Sequence, residues 1–373
     1  MMIFFVGTAI FLALWFFVIQ EQSFTLHQVS QIFPNLTSAI QSDQTSSPRN
    51  VSKNVLPTEK YISALDGTVL SAPEGPVIAV MIENHPQARV QHEGLSKASI
   101  VYEALAEGGI TRFLALYSYQ NLSWVGPVRS ARPYFIDFAS EYKAAYVHAG
   151  GSNDALTRLY STKDLLNIEA LYWEEISPES DTRIAHYFAR DIQYAAPHNL
   201  FGSFAGIQSI INDKKWNVSL DRPHFLFGNV SSSVSGSVSG SSFFSASVSR
   251  FDIHFSTPSF EVEYVYDPVS DRYVRYLAGN IHHDSTGDIT PRNILVQFTS
   301  YYPIDDEGRL EMKTSGSGKA FLFSGGRQYF GVWKKESDDV TRFYDDSGQQ
   351  FVLRPGQTWI TILNDEKSLE IYP

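Results

Sequence analysis

The chain has 373 residues, with 29 Lys and Arg against 40 Asp and Glu, for a formal net charge of −11. A hydrophobic fraction of 43%, with 26 Phe and 20 Tyr, is enough for a packed core and excludes wholesale disorder. The acidic balance argues against nucleic-acid binding, and the absence of cysteine excludes disulfide scaffolds, thiolate metal sites, iron–sulfur clusters, cysteine nucleophiles and a cysteine-linked lipid anchor.

Ile3 to Ile19 is apolar apart from Gly7 and Thr8. A run of this length is near the lower limit for crossing a ~30 Å hydrocarbon layer. No Lys or Arg precedes it, and it ends in Val18-Ile19-Gln20-Glu21 rather than in the small residues of a cleavage site. Residues 1–20 are therefore expected to be an uncleaved membrane anchor, with a cleaved signal peptide as the rival. The expected arrangement is single-pass in the cell membrane, with the bulk of the chain extracytoplasmic. Residues 21–58 are rich in Gln, Ser, Thr and Asn and lack a sustained period, as in a flexible stalk. A second low-complexity stretch, Ser-rich from Asn229 to Ser249, makes residues 227–249 a linker or insertion between two globular domains.

Residues 59–226 predict an α/β domain, a mixed sheet with flanking helices. Pro76 to Glu83 is a short continuous apolar run suited to a strand buried on both faces. Ile100 to Glu107 and Ile110 to Tyr119 flank Gly108-Gly109, which predicts a hairpin; a helix from Ser96 to Glu107 is the alternative. With a two-residue turn, Leu105 faces Arg112, and Glu103, Glu107 and Arg112 share one face. This set is either a surface ion-pair ladder or a charged constellation in a cleft. Arg129, Ser130 and Arg132 precede Pro133, which suits the first turn of a helix. The N–H groups and partial positive charge of that end, beside two guanidiniums, fit a carboxylate or phosphate, unless Arg132 pairs with a local acid such as Glu141. Ala144 to His148 predicts a strand leading through Gly150-Gly151 into a helix capped by Ser152, a backbone shape that can cradle an anion. Asn199 is expected to cap a further helix through about Asp213, with His198 beside its start.

Residues 250–373 alternate in short segments separated by Asp-, Gly- and Pro-rich turns, predicting an all-β, sandwich- or barrel-like domain. Gly316-Ser317-Gly318-Lys319 lacks the spacing of a phosphate loop. His282 and His283, with Asp284 and Asp288, are candidate metal ligands, but adjacent residues on a strand point to opposite faces, which argues against a shared metal. No metal or cofactor is expected.

Ile82-Glu83-Asn84-His85-Pro86, Val101-Tyr102-Glu103-Ala104, Glu107-Gly108-Gly109-Ile110-Thr111-Arg112-Phe113, Gly126-Pro127-Val128-Arg129-Ser130-Ala131-Arg132-Pro133, His148-Ala149-Gly150-Gly151-Ser152 and Ala196-Pro197-His198-Asn199 together resemble the YerB-like bacterial lipoprotein family. Thr341-Arg342-Phe343-Tyr344-Asp345 and Pro355-Gly356-Gln357-Thr358-Trp359-Ile360 are similar to that family's C-terminal domain. The resemblance spans roughly residues 60–373. It implies an extracytoplasmic bacterial protein but no particular activity. Members described as lipoproteins carry a lipidated cysteine after the signal, which this sequence lacks.

Three functions follow as expectations. The first is a tethered module binding an anionic envelope ligand, a cell-wall fragment, a phosphate polymer or a partner protein. Its site would comprise Asn84, Glu103, Glu107, Arg112, Arg129, Ser130, Arg132, His148, Gly150, Gly151, Ser152, His198 and Asn199. The second is a cell-wall hydrolase or transferase with Glu103 or Glu107 as acid and base and His148 as a second proton carrier. An arginine between the carboxylates would make them poor acids, which ranks this second. The third is a scaffold in an envelope protein complex.

Overall fold

A computed structural model of the chain describes residues 61–175, 186–218, 220, 223–228, 245–336 and 339–373. The expected anchor and stalk, and the Ser-rich stretch from 229 to 244, lie outside the described residues. Among the described residues no helix is long and apolar enough to cross a membrane.

The N-terminal part mixes strands and helices. Its main elements are β1 (Ile78–Glu83), β2 (Ile100–Leu105), β3 (Thr111–Tyr117), α1 (Pro133–Ser140), β4 (Ala145–His148), α2 (Asn153–Ser161), β5 (Leu166–Glu169), β6 (Phe188–Arg190), β7 (Leu200–Ser203) and α3 (Phe204–Asp213). From residue 245 onward the regular elements are strands and short 3-10 turns. These include β8 (Arg250–His254), β9 (Glu261–Asp267), β10 (Arg272–Leu277), β11 (Asn293–Phe298), β12 (Tyr301–Pro303), β13 (Leu310–Met312), β14 (Gly316–Ser324), β15 (Arg327–Lys335), β16 (Thr358–Leu363) and β17 (Leu369–Tyr372). Ile100–Leu105 is thus a strand, and the alternative helix over Ser96–Glu107 is not formed. Its β-branched and aromatic residues are buried between neighbouring strands, which outweighs any local helical preference.

An 11-stranded sheet carries strands from both parts of the chain, which run in the order β15, β14, β11, β16, β2, β3, β1, β4, β5, with β5 at its edge. The junction is a parallel ladder in which Thr358 to Thr361 of β16 pair with Ile100 to Glu103 of β2. Residues 59–226 and 250–373 therefore share one sheet, and the chain from Glu59 to Pro373 forms one compact unit. On one face of the sheet lie α1 and α2, whose Tyr134, Phe135, Phe138, Ala155 and Leu159 cover Met81, Tyr102, Leu114 and Tyr146. On the other lie α3 and a five-stranded sheet containing β10, β9, β8 and β17, with Phe251, Tyr264 and Tyr273 against Val101, Phe113 and Trp359. Every residue of β1 is buried, because both faces of its sheet are covered.

The β2–β3 register differs from the expected one by a single residue. Glu103 lies opposite Phe113, and Arg112 opposite Ala104. The connection runs from Ala106 to Ile110 through a 3-10 turn, with Gly108 at φ 65° and Gly109 at φ 73°. Those left-handed conformations suit glycine. A one-residue shift moves a side chain to the other face of a sheet. Glu103 and Arg112 accordingly point to opposite faces rather than sharing one.

Glu103 faces the five-stranded sheet and meets Arg275 of β10. The two side chains are 1% and 0% exposed, and Arg275 Nη2 donates to Glu103 Oε2 at 2.7 Å. Arg275 Nε donates to Tyr264 Oη at 3.1 Å, and the guanidinium sits 4.4 Å from the Trp359 ring centroid. The second Glu103 oxygen accepts from Thr111 Oγ1 at 2.9 Å, and Thr111 accepts from Asn84 Nδ2 at 2.6 Å. Arg275 Nη1 also donates to His282 Nδ1, and His282 Nε2 lies 3.3 Å from His92 Nδ1. His92 Nε2 reaches the Glu83 carbonyl at 2.6 Å. One set of tautomers makes every step of this chain a donor-to-acceptor contact. Burial holds His92 in its neutral form, with its pKa pulled down to about 4.

Removing one partner of such a pair strands the other charge in the interior, at about 3–5 kcal/mol. Arg275→Ala should therefore lower the unfolding free energy in urea by about that amount. The double replacement Arg275→Met with Glu103→Leu should lose much less. Equal losses for the single and double variants would show that packing, not the stranded carboxylate, sets the cost.

Candidate site at the carboxyl end of the sheet

Strands β1, β2 and β4 run parallel to one another, so Glu83, Leu105 and His148 all lie at one end of the sheet, beside the first residues of β3. The segment following Gly126 crosses this end. Val128 N donates to Leu200 O at 2.7 Å, Arg129 N to Met81 O at 2.9 Å and Ala131 N to Gly150 O at 2.9 Å, while Arg129 O accepts from Ala149 N at 3.0 Å. These bonds fix Arg129, Ser130 and Arg132 between β1 and the Gly150-Gly151 turn. Arg132 is the residue before the first turn of α1, and Pro133 occupies that turn as expected.

Arg112 and Arg132 converge on Glu107. Arg132 Nε donates to Glu107 Oε2 at 2.8 Å and Arg132 Nη2 to Oε1, while Arg112 Nη2 donates to the same Oε1 at 3.2 Å. The guanidinium side chains are 10% and 5% exposed, and the carboxylate is 30% exposed. Arg112 also donates to Ser130 O at 3.1 Å and Arg132 to Ala131 O at 2.6 Å. Partial burial pushes the Glu107 carboxyl up, but the Arg112 charge and the Arg132 hydrogen bonds outweigh it and hold the pKa at about 2. The Tyr134 and Tyr146 rings line the same region, and burial, opposed by the two arginines, raises both phenols.

Glu83, on the same face and directly opposite Arg112, organises a second group. Its Oε1 accepts from Arg129 Nε at 3.0 Å, and its Oε2 lies 2.9 Å from His198 Nδ1. The His198 ring stacks on His85 at 4.6 Å. Burial, then the neighbouring His198, lowers the His85 pKa. The Arg129 side chain is 26% exposed, and among the described residues its terminal amino groups have no hydrogen-bond partner. Arg129 is therefore the accessible guanidinium of the set.

Other expected site residues are used elsewhere. Asn84 is buried and serves the opposite face, donating to Thr111 and accepting from Arg89 Nε at 3.1 Å. Glu103 belongs to that same network. His148 is fully buried, with Nδ1 2.8 Å from Gly150 O and Nε2 2.7 Å from Asn167 Oδ1, and so has no free nitrogen for proton transfer. The Gly150-Gly151 turn does cradle an anion, but the anion is the chain's own. Gly150 N donates to the Glu169 carboxylate at 2.9 Å, and Leu171 N donates to it at 3.2 Å. Ser152 caps α2 as expected, accepting from Ala155 N at 3.3 Å. Asn199 does not cap α3. Leu200–Ser203 is drawn into a strand between β6 and Trp124–Val125, so the cap moves to Ser203, whose Oγ accepts from Gly206 N at 3.3 Å. Asn199 instead holds its own loop through Asp191 O and Tyr194 O. The Arg132–Glu141 pairing is not made either, because Glu141 binds Lys335 at 2.7 Å.

The acid–base pair envisaged for a hydrolase is not assembled. Glu103 and Glu107 are on opposite faces, each held by arginine, and His148 is locked. Glu83, His85 and Glu169 complete the groups that the arginines and the glycine turn enter. Glu83 carried a legible signal, a carboxylate closing an otherwise apolar buried strand.

The Glu107 clamp should register in acid. A carboxylate whose folded pKa lies below its unfolded value contributes stability that is present above about pH 4.5 and lost as pH falls toward 2. The stability difference between the wild type and Glu107→Gln should therefore be largest at neutral pH and shrink over that interval in urea titrations. A difference constant from pH 7 to pH 2.5 would remove the charge from the account.

The family described as "Protein of unknown function (DUF3048) N-terminal domain" matches residues 65–217, and its C-terminal domain matches residues 251–360. "Putative lipoprotein YerB" of Bacillus subtilis (strain 168) is 34% identical over 295 residues, 77% of this chain and 81% of that protein. A crystal structure of YerB protein from Bacillus subtilis aligns with a TM-score of 0.70 at 30% identity, covering 84% of this chain and 100% of that one. With both domains matched in order, and with the fold shared, the chain belongs to the YerB-like DUF3048 family.

Proposed function

We propose that this protein is a membrane-tethered, extracytoplasmic binding module that holds an anionic group of an envelope ligand at the arginine-lined end of its sheet. The observation that carries this reading is Arg129. Its Nε is oriented by a buried carboxylate, and among the described residues its terminal amino groups have no hydrogen-bond partner. A guanidinium held along one edge offers the other as a preset fork for a carboxylate or phosphate. Ser130 and the His85–His198 pair flank it and can add hydrogen bonds.

The extracytoplasmic, membrane-associated setting is supported by the name of the B. subtilis relative, a lipoprotein. In this chain the apolar segment Ile3 to Ile19 would provide the attachment. Candidate ligands are a peptidoglycan stem carboxylate, a teichoic-type phosphate, or an acidic segment of an envelope protein.

Arg129→Ala should abolish binding of the purified protein to envelope fractions in a sedimentation assay, with the circular dichroism spectrum unchanged. Arg129→Lys keeps the charge but loses the fork, and should weaken binding by about tenfold, the equivalent of one hydrogen bond to a charged group. Undiminished binding by Arg129→Ala would remove this reading.

A further inference from the structure

The Arg112–Arg132 pair stands beside Arg129 but differs from it in being filled. We infer that it is a binding site for a carboxylate carried by another molecule, and that Glu107 occupies it in cis until such a ligand displaces it. The inference rests on the anion-binding reading of this end of the sheet and names the ligand chemistry and its control.

The present occupant reveals what the site accepts. Arg132 offers Nε and Nη2 to the two oxygens of one planar group, and Arg112 adds a third donor to one of those oxygens. This side-on fork matches a carboxylate, whose two oxygens lie in one plane. A tetrahedral phosphate matches this planar arrangement of donors less well.

The burial gradient shows which member can leave. The guanidiniums are the inner members, at 5% and 10% side-chain exposure, and the carboxylate is the outer one, at 30%. The arginines are also fixed by backbone carbonyls, Ser130 O and Ala131 O, whereas the Glu107 carboxylate is held by the two arginines and by its own backbone N–H. The main chain at Glu107 need not move. Ala106 N donates to Ile110 O at 2.7 Å, and Ser256 Oγ donates to Gly109 O at 2.5 Å, so the turn stays closed while the side chain rotates. The Glu107 side chain is 30% exposed, so solvent borders the carboxylate that would leave.

Occupation in cis sets a threshold. A tethered carboxylate competes at a high effective concentration, of the order of millimolar or above. Only a ligand with further contacts, or one presented at high local density, would displace it.

The test replaces the tether with a free ligand. Glu107→Ala is titrated with propionate, which supplies the deleted carboxylate, and with chloride at matched ionic strength. Thermal midpoint and calorimetry are the readouts. The expected result is a saturable rise in midpoint with propionate and none with chloride, a calorimetric affinity for propionate at least tenfold tighter than that of the wild type, a weaker response to inorganic phosphate, and loss of the response in Glu107→Ala/Arg132→Lys. A midpoint that follows ionic strength regardless of the anion would overturn the inference. Glu107→Gln, which keeps the side-chain volume, is run in parallel. Should neither variant fold alone, refolding in propionate decides: recovery supports the site, and no recovery overturns it. Propionate rescue without envelope binding would leave this site standing while the Arg129 reading falls, so the two failures are distinguishable.

Discussion

The pairing of Glu103 with Phe113 and of Arg112 with Ala104 governs the layout of this protein. Because side chains alternate along a strand, that single register sends a carboxylate to one face of the sheet and a guanidinium to the other. Glu103 then requires a cation from the five-stranded sheet and finds Arg275. Arg112 requires an anion on the helix-covered face and finds Glu107. The docking of the C-terminal strands and the charged group at the sheet end are two outcomes of one hydrogen-bond ladder.

The charged end of the sheet follows a common rule. Each concentration of donors contains a carboxylate from the same chain: Glu107 for Arg112 and Arg132, Glu83 for Arg129, and Glu169 for the Gly150 turn. A buried guanidinium without a partner is costly, so internal carboxylates stabilise the fold in the absence of any ligand. The same carboxylates decide how much donor capacity remains. Both terminal amino groups of Arg112 and the Gly150 amide are bonded within the chain, whereas Arg129 keeps its outer edge. Capacity to bind thus depends on which edge of a guanidinium the fold consumes, and a count of arginines does not reveal it.

Much of the fold was legible. The buried strand at Pro76 to Glu83, the helix opening at Pro133, the Ser152 cap and the alternating C-terminal strands follow from hydrophobic period and local capping chemistry. Two things were hidden. Hairpin register depends on how many residues the turn consumes, and Gly108-Gly109 is compatible with both a two-residue turn and the wider one that forms. Asn199 has good capping chemistry, but long-range pairing of Leu200–Ser203 overrides it. The site was legible as a set of segments, since the motifs around Glu83, Glu107, Arg129 and His198 meet at one end. It was not legible as a set of contacts, because Asn84 and Glu103 turn out to face the other way. Arg275 was in plain view: alternation puts it on the face of Tyr273 and Leu277, so burial of that face implied a buried cation in need of an acid.

The parallel ladder between β16 and β2 joins residues more than 250 positions apart. Pairing at such separation carries a large loop-closure cost and is slow to form. Until the last segment of the chain emerges, β2 has β3 on one side and an open hydrogen-bonding edge on the other. An N-terminal half released alone would keep that edge and the uncompensated Glu103. The division into two matched domains therefore does not mark a place where this protein can be cut, and its maturation ends only when the final strands slot into the middle of the sheet.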